Sequence, residues 1–125
     1  MLFRSGLIVG SPVYYASMAG TLKCVLDRLF FSAGRAFWFK PAAAVAVARR
    51  AGTLTAFDEI NKYFYISNMP VVSSTYWNNV HGSCAEDAEK DDEGMQTIRN
   101  LAKNMTWLIK SIKAGESVGD RKSVV

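Results

Sequence analysis

Residues 41–48 read Pro-Ala-Ala-Ala-Val-Ala-Val-Ala, a run without a polar side chain, and Arg49 and Arg50 follow it directly. A strand that helices cover on both faces has this composition, because neither face meets water. Such strands occur in parallel sheets, where crossover helices pack on both sides. The run therefore predicts a strand of a parallel sheet, although its many alanines leave a helix as the alternative.

Two further short runs are typical of strands. Residues 6–10 read Gly-Leu-Ile-Val-Gly, and residues 71–75 read Val-Val-Ser-Ser-Thr after Pro70. We interpret the first as a short buried strand and the second as the last strand of the sheet.

Apolar residues at helical spacing lie between the predicted strands. The first helix has one apolar stripe, and we expect Ser17 to cap it and Gly34 to end it. The second helix follows Thr55, which has capping-box spacing to Asp58. The inward residues of these two helices are Leu22, Val25, Leu26, Leu29, Phe30, Phe57, Ile60 and Phe64.

A third helix is predicted from about residue 92 to residue 114, with Gly115 at its end. The acidic residues between 86 and 93 suit the positive end of its dipole. Trp107 lies off the apolar stripe and either faces a partner subunit or is half-exposed. The stripe consists of Met95, Ile98, Leu101, Ala102, Met105, Leu108, Ile109 and Ile112.

The alternation of three strands with three helices predicts an α/β layered domain with right-handed crossovers. Three strands make a small sheet for this class, and the first strand would be left with an unpaired edge.

The composition excludes several classes of protein. The 125 residues suit one domain, and a chain that is 50% apolar is globular rather than disordered. No run approaches the roughly 20 apolar residues of a membrane span, and Arg4 interrupts the apolar start of the chain, so no signal peptide is predicted. Two distant cysteines and one histidine argue against a disulfide framework or a metal site. We expect a cytoplasmic protein.

The charges point weakly to an anionic ligand. The net charge is +4, but the basic residues form no stripe, so nucleic acid is not an expected partner. Residues 1–85 carry eight lysines and arginines against three acidic residues, which is consistent with a small anionic ligand.

Three loops would lie at the carboxyl ends of the predicted strands, where parallel sheets bind ligands. They are residues 10–18, 49–53 and 76–83, which combine glycine and serine with tyrosines, two arginines, a tryptophan, two asparagines and a histidine. Aromatic side chains can cover a flat ring, and backbone groups and cations can meet its polar edge. The loops therefore suit a planar, electron-poor heteroaromatic ring.

Residues 10–28 read Gly-Ser-Pro-Val-Tyr-Tyr-Ala-Ser-Met-Ala-Gly-Thr-Leu-Lys-Cys-Val-Leu-Asp-Arg. This stretch resembles the third strand, loop and helix of flavodoxin-like NAD(P)H-dependent FMN reductases, and is similar also to quinone reductases of that fold and to iron–sulfur flavoproteins. The shared pattern is Gly-[Ser/Thr]-Pro-x-Tyr, a short spacer, and Gly-x-[Leu/Met]-Lys-x-x-[Leu/Ile]-Asp. Residues 76–82 and 92–101 also resemble these reductases.

The resemblance implies an FMN site and NAD(P)H as co-substrate, with electrons passing through FMN to a quinone or another small acceptor. The first loop would border the isoalloxazine ring, mostly through backbone atoms, and the second would meet its pyrimidine edge. The expected cofactor-binding residues are Ser11, Pro12, Val13, Tyr14, Tyr15, Ala16, Ser17, Met18, Arg49, Arg50, Ala51 and Gly52.

Several of these residues have a structural alternative. The tyrosines can be packed loop residues, and the arginines can be a solvated strand end. His81 is a candidate proton donor, with a structural loop histidine as the alternative. Trp77 can cover the ring, join a subunit contact or belong to the core. No metal ligand is expected.

The resemblance covers residues 6–115, which we interpret as a partial flavodoxin-like domain holding strands 3 to 5 of the order 2-1-3-4-5. The family's first strand and Ser/Thr-rich phosphate loop would precede Met1, so weak FMN binding or none is expected. Residues 2–5 and 120–125 can be read as translated adapter DNA, and the tails at residues 1–5 and 116–125 are expected to be non-native or disordered.

Two other functions stay open from the sequence. One is an electron carrier or flavin-binding module like flavodoxin itself, and the other is an α/β interaction module without a cofactor. For the intact protein, the resemblance implies a dimer or tetramer, in which Trp77 or Trp107 would contact another subunit.

Overall fold

A computed structural model describes residues 5–119. Its strands are β1 (Leu7–Tyr14), β2 (Ser17–Met18), β3 (Ala42–Ala48) and β4 (Asn79–His81). Its helices are α1 (Gly20–Ala33), α2 (Thr53–Ile66), α3 (Ala85–Ala88) and α4 (Asp92–Ser117), and a 3-10 turn, Gly34–Phe37, follows α1. None of the described helices is long and apolar enough to cross a membrane.

The alanine-rich run forms β3, which confirms the strand interpretation over the helical one. β3 pairs in parallel with β1 on one side and with β4 on the other, in the sheet order β2-β1-β3-β4. Ala42, Ala43, Ala44 and Ala46 have no exposed surface. Burial on both faces explains why this strand contains no polar residue.

The helices pack on both faces of the sheet, as the strand and helix order predicted. Leu26 of α1 and Ile60 and Phe64 of α2 form one core with the Val9 face of β1. Leu101 and Met105 of α4 pack on the opposite face of β3. The result is a three-layer α/β sandwich.

The first strand has a partly open outer edge, as expected from the sequence. β2 pairs with it antiparallel only at Val13 and Tyr14, and within residues 5–119 no other strand pairs with it on that side. Ile8, on the β1 face away from α1 and α2, is 53% exposed.

Two strand boundaries differ from the predictions. β1 continues through Tyr14, where the sequence predicted a loop from residue 10. Val71 makes only an isolated bridge to Ala42, so the predicted strand at residues 71–75 is wrong. The fourth strand is instead Asn79–His81, at the edge of the sheet. Two of its three residues are polar, so its composition is typical of a loop.

The helix ends also differ. α1 begins at Gly20 and has no side-chain cap, so the cap predicted at Ser17 is wrong. α2 begins two residues before Thr55, after a left-handed Gly52, and not at a capping box. α4 continues to Ser117, past the end predicted at Gly115, and Ala102 is exposed rather than inward. A glycine permits a helix end without forcing one.

Two buried asparagines give a stability prediction. Asn61 Oδ1 has no hydrogen-bond partner among the described residues, whereas Asn78 donates to the Ala44 carbonyl at 3.2 Å and accepts from the Ser74 hydroxyl at 2.6 Å. Asn61→Leu should raise the free energy of unfolding by about 1 kcal/mol, and Asn78→Leu should lower it by about 2 kcal/mol because both partners lose their bonds. Urea denaturation measures both changes. Equal changes in the free energy of unfolding of the two variants would contradict the difference in hydrogen bonding between Asn61 and Asn78.

Candidate functional site

The first predicted loop is a β-hairpin. β1 and β2 pair Val13 with Met18 and Tyr14 with Ser17, which leaves Tyr15 and Ala16 as a two-residue turn. Both turn residues have left-handed backbones, with φ of 49° and 58°. This is the conformation that asparagine and glycine usually supply, so here the turn is strained. A Tyr-Ala pair is not a usual turn signal, so the residue pattern does not predict this hairpin.

The hairpin exposes two aromatic rings at its tip. Tyr14 is 61% exposed and Tyr15 is fully exposed. Ser11 and Met18 are buried, so neither presents its side chain to a ligand at this rim. The Ser11 hydroxyl accepts a hydrogen bond from the Ala19 N–H at 2.9 Å, which joins the strand to the start of α1.

The second predicted loop packs against this hairpin. Gly52, directly before α2, has a φ of 87°. A Cβ built on it would lie 2.9 Å from the Ala16 Cα and 2.9 Å from a Val13 methyl carbon, so only glycine fits between the segments. Two of the three predicted loops are therefore in contact at one rim of the sheet. Arg49, Arg50 and Ala51 are exposed beside them.

The third predicted segment divides into two parts. Asn79 donates from its side-chain amide to the Thr53 hydroxyl at 3.1 Å, so the β4 part reaches the start of α2. Tyr76 and Trp77 precede β4, and their rings contact each other in a tilted arrangement with 4.8 Å between the ring centres. They therefore lie at the amino end of this strand, not after its carboxyl end, and the placement of both rings at the rim was wrong.

His81 lies at the carboxyl end of β4, as the rim prediction requires. Its backbone N–H donates to Asp91 Oδ2 at 2.7 Å, and its Nδ1 lies 3.7 Å from the same oxygen. Asp91 also accepts from the Gly94 N–H at 3.0 Å and so caps α4. These two backbone donors lower the pKa of the Asp91 carboxyl below its ordinary value.

Glu59 is a residue of this site that the sequence reasoning missed. It lies in α2, and one carboxylate oxygen accepts from the Ser17 hydroxyl at 2.8 Å and from the Met18 N–H at 3.1 Å. The two donors lower the pKa of the Glu59 carboxyl. No local motif marks this contact, because the partners are about forty residues apart.

The side chains and backbone at this rim suit a flat aromatic ring. No group of three potential metal-ligating side chains occurs within residues 5–119. The exposed tyrosines can lie against a flat ring. The backbone groups of the turn and the two guanidinium groups can contact its polar edge. A groove of about 810 Å³ between the carboxyl ends of α1 and α2 contains none of the predicted site residues.

Solved structures with the same architecture define the fold class. The Trp repressor binding protein of Bacillus subtilis superposes with a TM-score of 0.64 at 17% identity, covering 82% of this chain and 70% of that chain. A flavodoxin, WrbA-like protein of Agrobacterium tumefaciens gives 0.55 at 15% identity, covering 78% and 67%. The fold is therefore flavodoxin-like, with a mostly parallel sheet between helical layers.

Sequence comparison then identifies the family. The family model for NADPH-dependent FMN reductase matches residues 4–83, and the chain belongs to that family. It is 34% identical over 116 residues to an iron-sulfur flavoprotein of Methanocaldococcus jannaschii, which covers 86% of this chain. It is 29% identical over 117 residues to an iron-sulfur flavoprotein of Methanosarcina thermophila, which covers 90% of this chain. The chain spans 60% of the length of each relative.

Proposed function

We propose that this chain forms the ring-binding part of an FMN-dependent oxidoreductase. In the proposed reaction, NAD(P)H supplies a hydride, and a quinone or another small molecule accepts the electrons. The observation that carries the proposal is the contact of Gly52 with the Tyr15–Ala16 turn, since it joins the two predicted flavin-binding segments at one rim. Membership of the FMN reductase family supports the choice of ligand.

The residues present fit an isoalloxazine ring. A bound flavin supplies the hydride and single-electron chemistry, and the protein orients it and adjusts its electrostatics. Tyr14 and Tyr15 would lie against the ring, and the turn backbone would meet its polar edge. Arg49 and Arg50 would stabilise negative charge on the ring, because an anion in a poorly solvated site needs cationic partners.

His81 stays a proposed proton donor at the same rim. It lies at the end of β4, its side chain is partly exposed, and its Nδ1 is 3.7 Å from Asp91 Oδ2. Trp107 stays a proposed subunit contact, because its indole is 68% exposed on α4.

Flavin fluorescence quenching tests this function directly. We expect the chain to quench FMN and lumiflavin, which lacks the ribityl phosphate, with similar micromolar affinities, because the proposed contacts involve the ring alone. Tyr15→Ala should weaken both affinities, whereas Tyr65→Ala, at an exposed tyrosine near the end of α2, should leave them unchanged.

Two results would contradict the proposal in different ways. If the chain quenches the fluorescence of neither flavin, it has no site for the ring. Nanomolar binding of FMN together with no binding of lumiflavin would show that these residues hold the phosphate and not the ring.

A further inference from the structure

A charged side chain connects the hairpin at the rim to a helix. Glu59 of α2 accepts two hydrogen bonds at the same oxygen, from the Ser17 hydroxyl and from the Met18 N–H. Both donors belong to β2, the returning strand of the hairpin. The carboxylate therefore connects α2 to the strand that follows the turn.

The hairpin needs such a connection. β2 has only two residues, and an isolated hairpin of this size is marginally stable in water. Tyr15 and Ala16 add strain, because each has a left-handed backbone without being glycine. Strained turns of this kind persist only where the surrounding structure holds them in place.

The surroundings favour the ionised carboxylate. Lys62 on the same helix and Lys23 on α1 both act on Glu59 by attraction between opposite charges. Hydrogen bonds to an ionised acceptor are stronger than those between neutral groups. The tie is therefore a charge-assisted pair of bonds and not a contact between neutral groups.

We propose that Glu59 is a positioning residue for the flavin site: by holding the Ser17 hydroxyl and the Met18 N–H, it keeps the Tyr15–Ala16 turn closed against Gly52, in the shape that receives the ring. This inference rests on the proposed function for its ligand. The hairpin contact itself is independent of any ligand.

The test compares three variants by amide hydrogen exchange in the absence of flavin and by flavin quenching. Glu59→Ala should speed exchange at the Met18 amide about tenfold or more, with the β3 amides unchanged, because the hairpin opens locally. It should also weaken lumiflavin binding by a similar factor. Glu59→Gln should restore most of both properties, since its amide oxygen can accept the same two bonds. Asp58→Ala, at an exposed neighbour in α2, should change neither.

The outcomes separate this inference from the proposed function. Unchanged Met18 exchange in Glu59→Ala overturns the positioning role, and so does a Glu59→Gln variant as impaired as Glu59→Ala. Equal lumiflavin affinity in Glu59→Ala and the parent chain also overturns it. If the parent chain binds no flavin, the proposed function fails, while the exchange data still decide whether Glu59 holds the hairpin.

Discussion

Gly52→Ala is expected to lower the free energy of unfolding by about 3 kcal/mol, because a left-handed backbone and a steric clash act together. Gly52 has a φ of 87°, which costs any L-residue with a Cβ. The added methyl group would also lie 2.9 Å from the Ala16 Cα, which belongs to backbone and cannot rotate away. Urea denaturation followed by circular dichroism measures the change.

Gly20→Ala provides the matched control for this substitution. A Cβ on Gly20 meets nothing within 4 Å, and the residue lies in the first turn of α1. Alanine favours helix over glycine, so this variant should be as stable as the parent chain or slightly more stable. A Gly52→Ala chain that unfolds at the parent's urea concentration would show that the α2 turn and the hairpin are not packed together.

Asp91→Ala is expected to destabilise the fold by about 3 kcal/mol, since two backbone donors lose a charged acceptor. Oδ1 accepts from the Gly94 N–H, and Oδ2 accepts from the His81 N–H. The side chain therefore caps α4 and also ties it to the end of β4. Asp92→Ala, at the exposed neighbouring position, should have a much smaller effect, because that carboxylate acts only on the helix dipole.

The same carboxyl predicts a dependence of stability on pH. The backbone donors lower the pKa of Asp91 below its ordinary value of 3.8, so the unfolded chain binds this proton more tightly than the native chain. The stabilisation is complete above the ordinary pKa and is lost as the pH falls through the lower folded pKa. The free energy of unfolding should therefore fall less steeply with decreasing pH in Asp91→Asn than in the parent chain. Glu59, whose pKa is also lowered, contributes with the same sign and keeps some of the slope in that variant.

The parts of the fold that depend on burial were predictable from the sequence. β3 shows its two buried faces in its composition, and the stripe of α4 shows its inner face at helical spacing. β4 was missed because its polar residues are satisfied by contacts from elsewhere in the chain. Asn79, for example, bonds to Thr53, which no local pattern can reveal.

The candidate site was predictable in its location and less so in its construction. The sequence places the glycine before α2 at the rim, and the structure brings Gly52 against Val13 and Ala16. The hairpin was hidden because a Tyr-Ala pair is an uncommon choice for a left-handed turn. Glu59 contacts a residue about forty positions away in the sequence, so only the folded structure shows this hydrogen bond.

The alanines of β3 set how thick the middle of the molecule is. A methyl group is the smallest side chain that still fills space, so both helical layers approach the sheet more closely than bulkier residues would allow. A larger side chain in this strand would act as a wedge and move a whole layer outward. The small side chains of β3 therefore help to set the spacing between the sheet and the helices that position the rim.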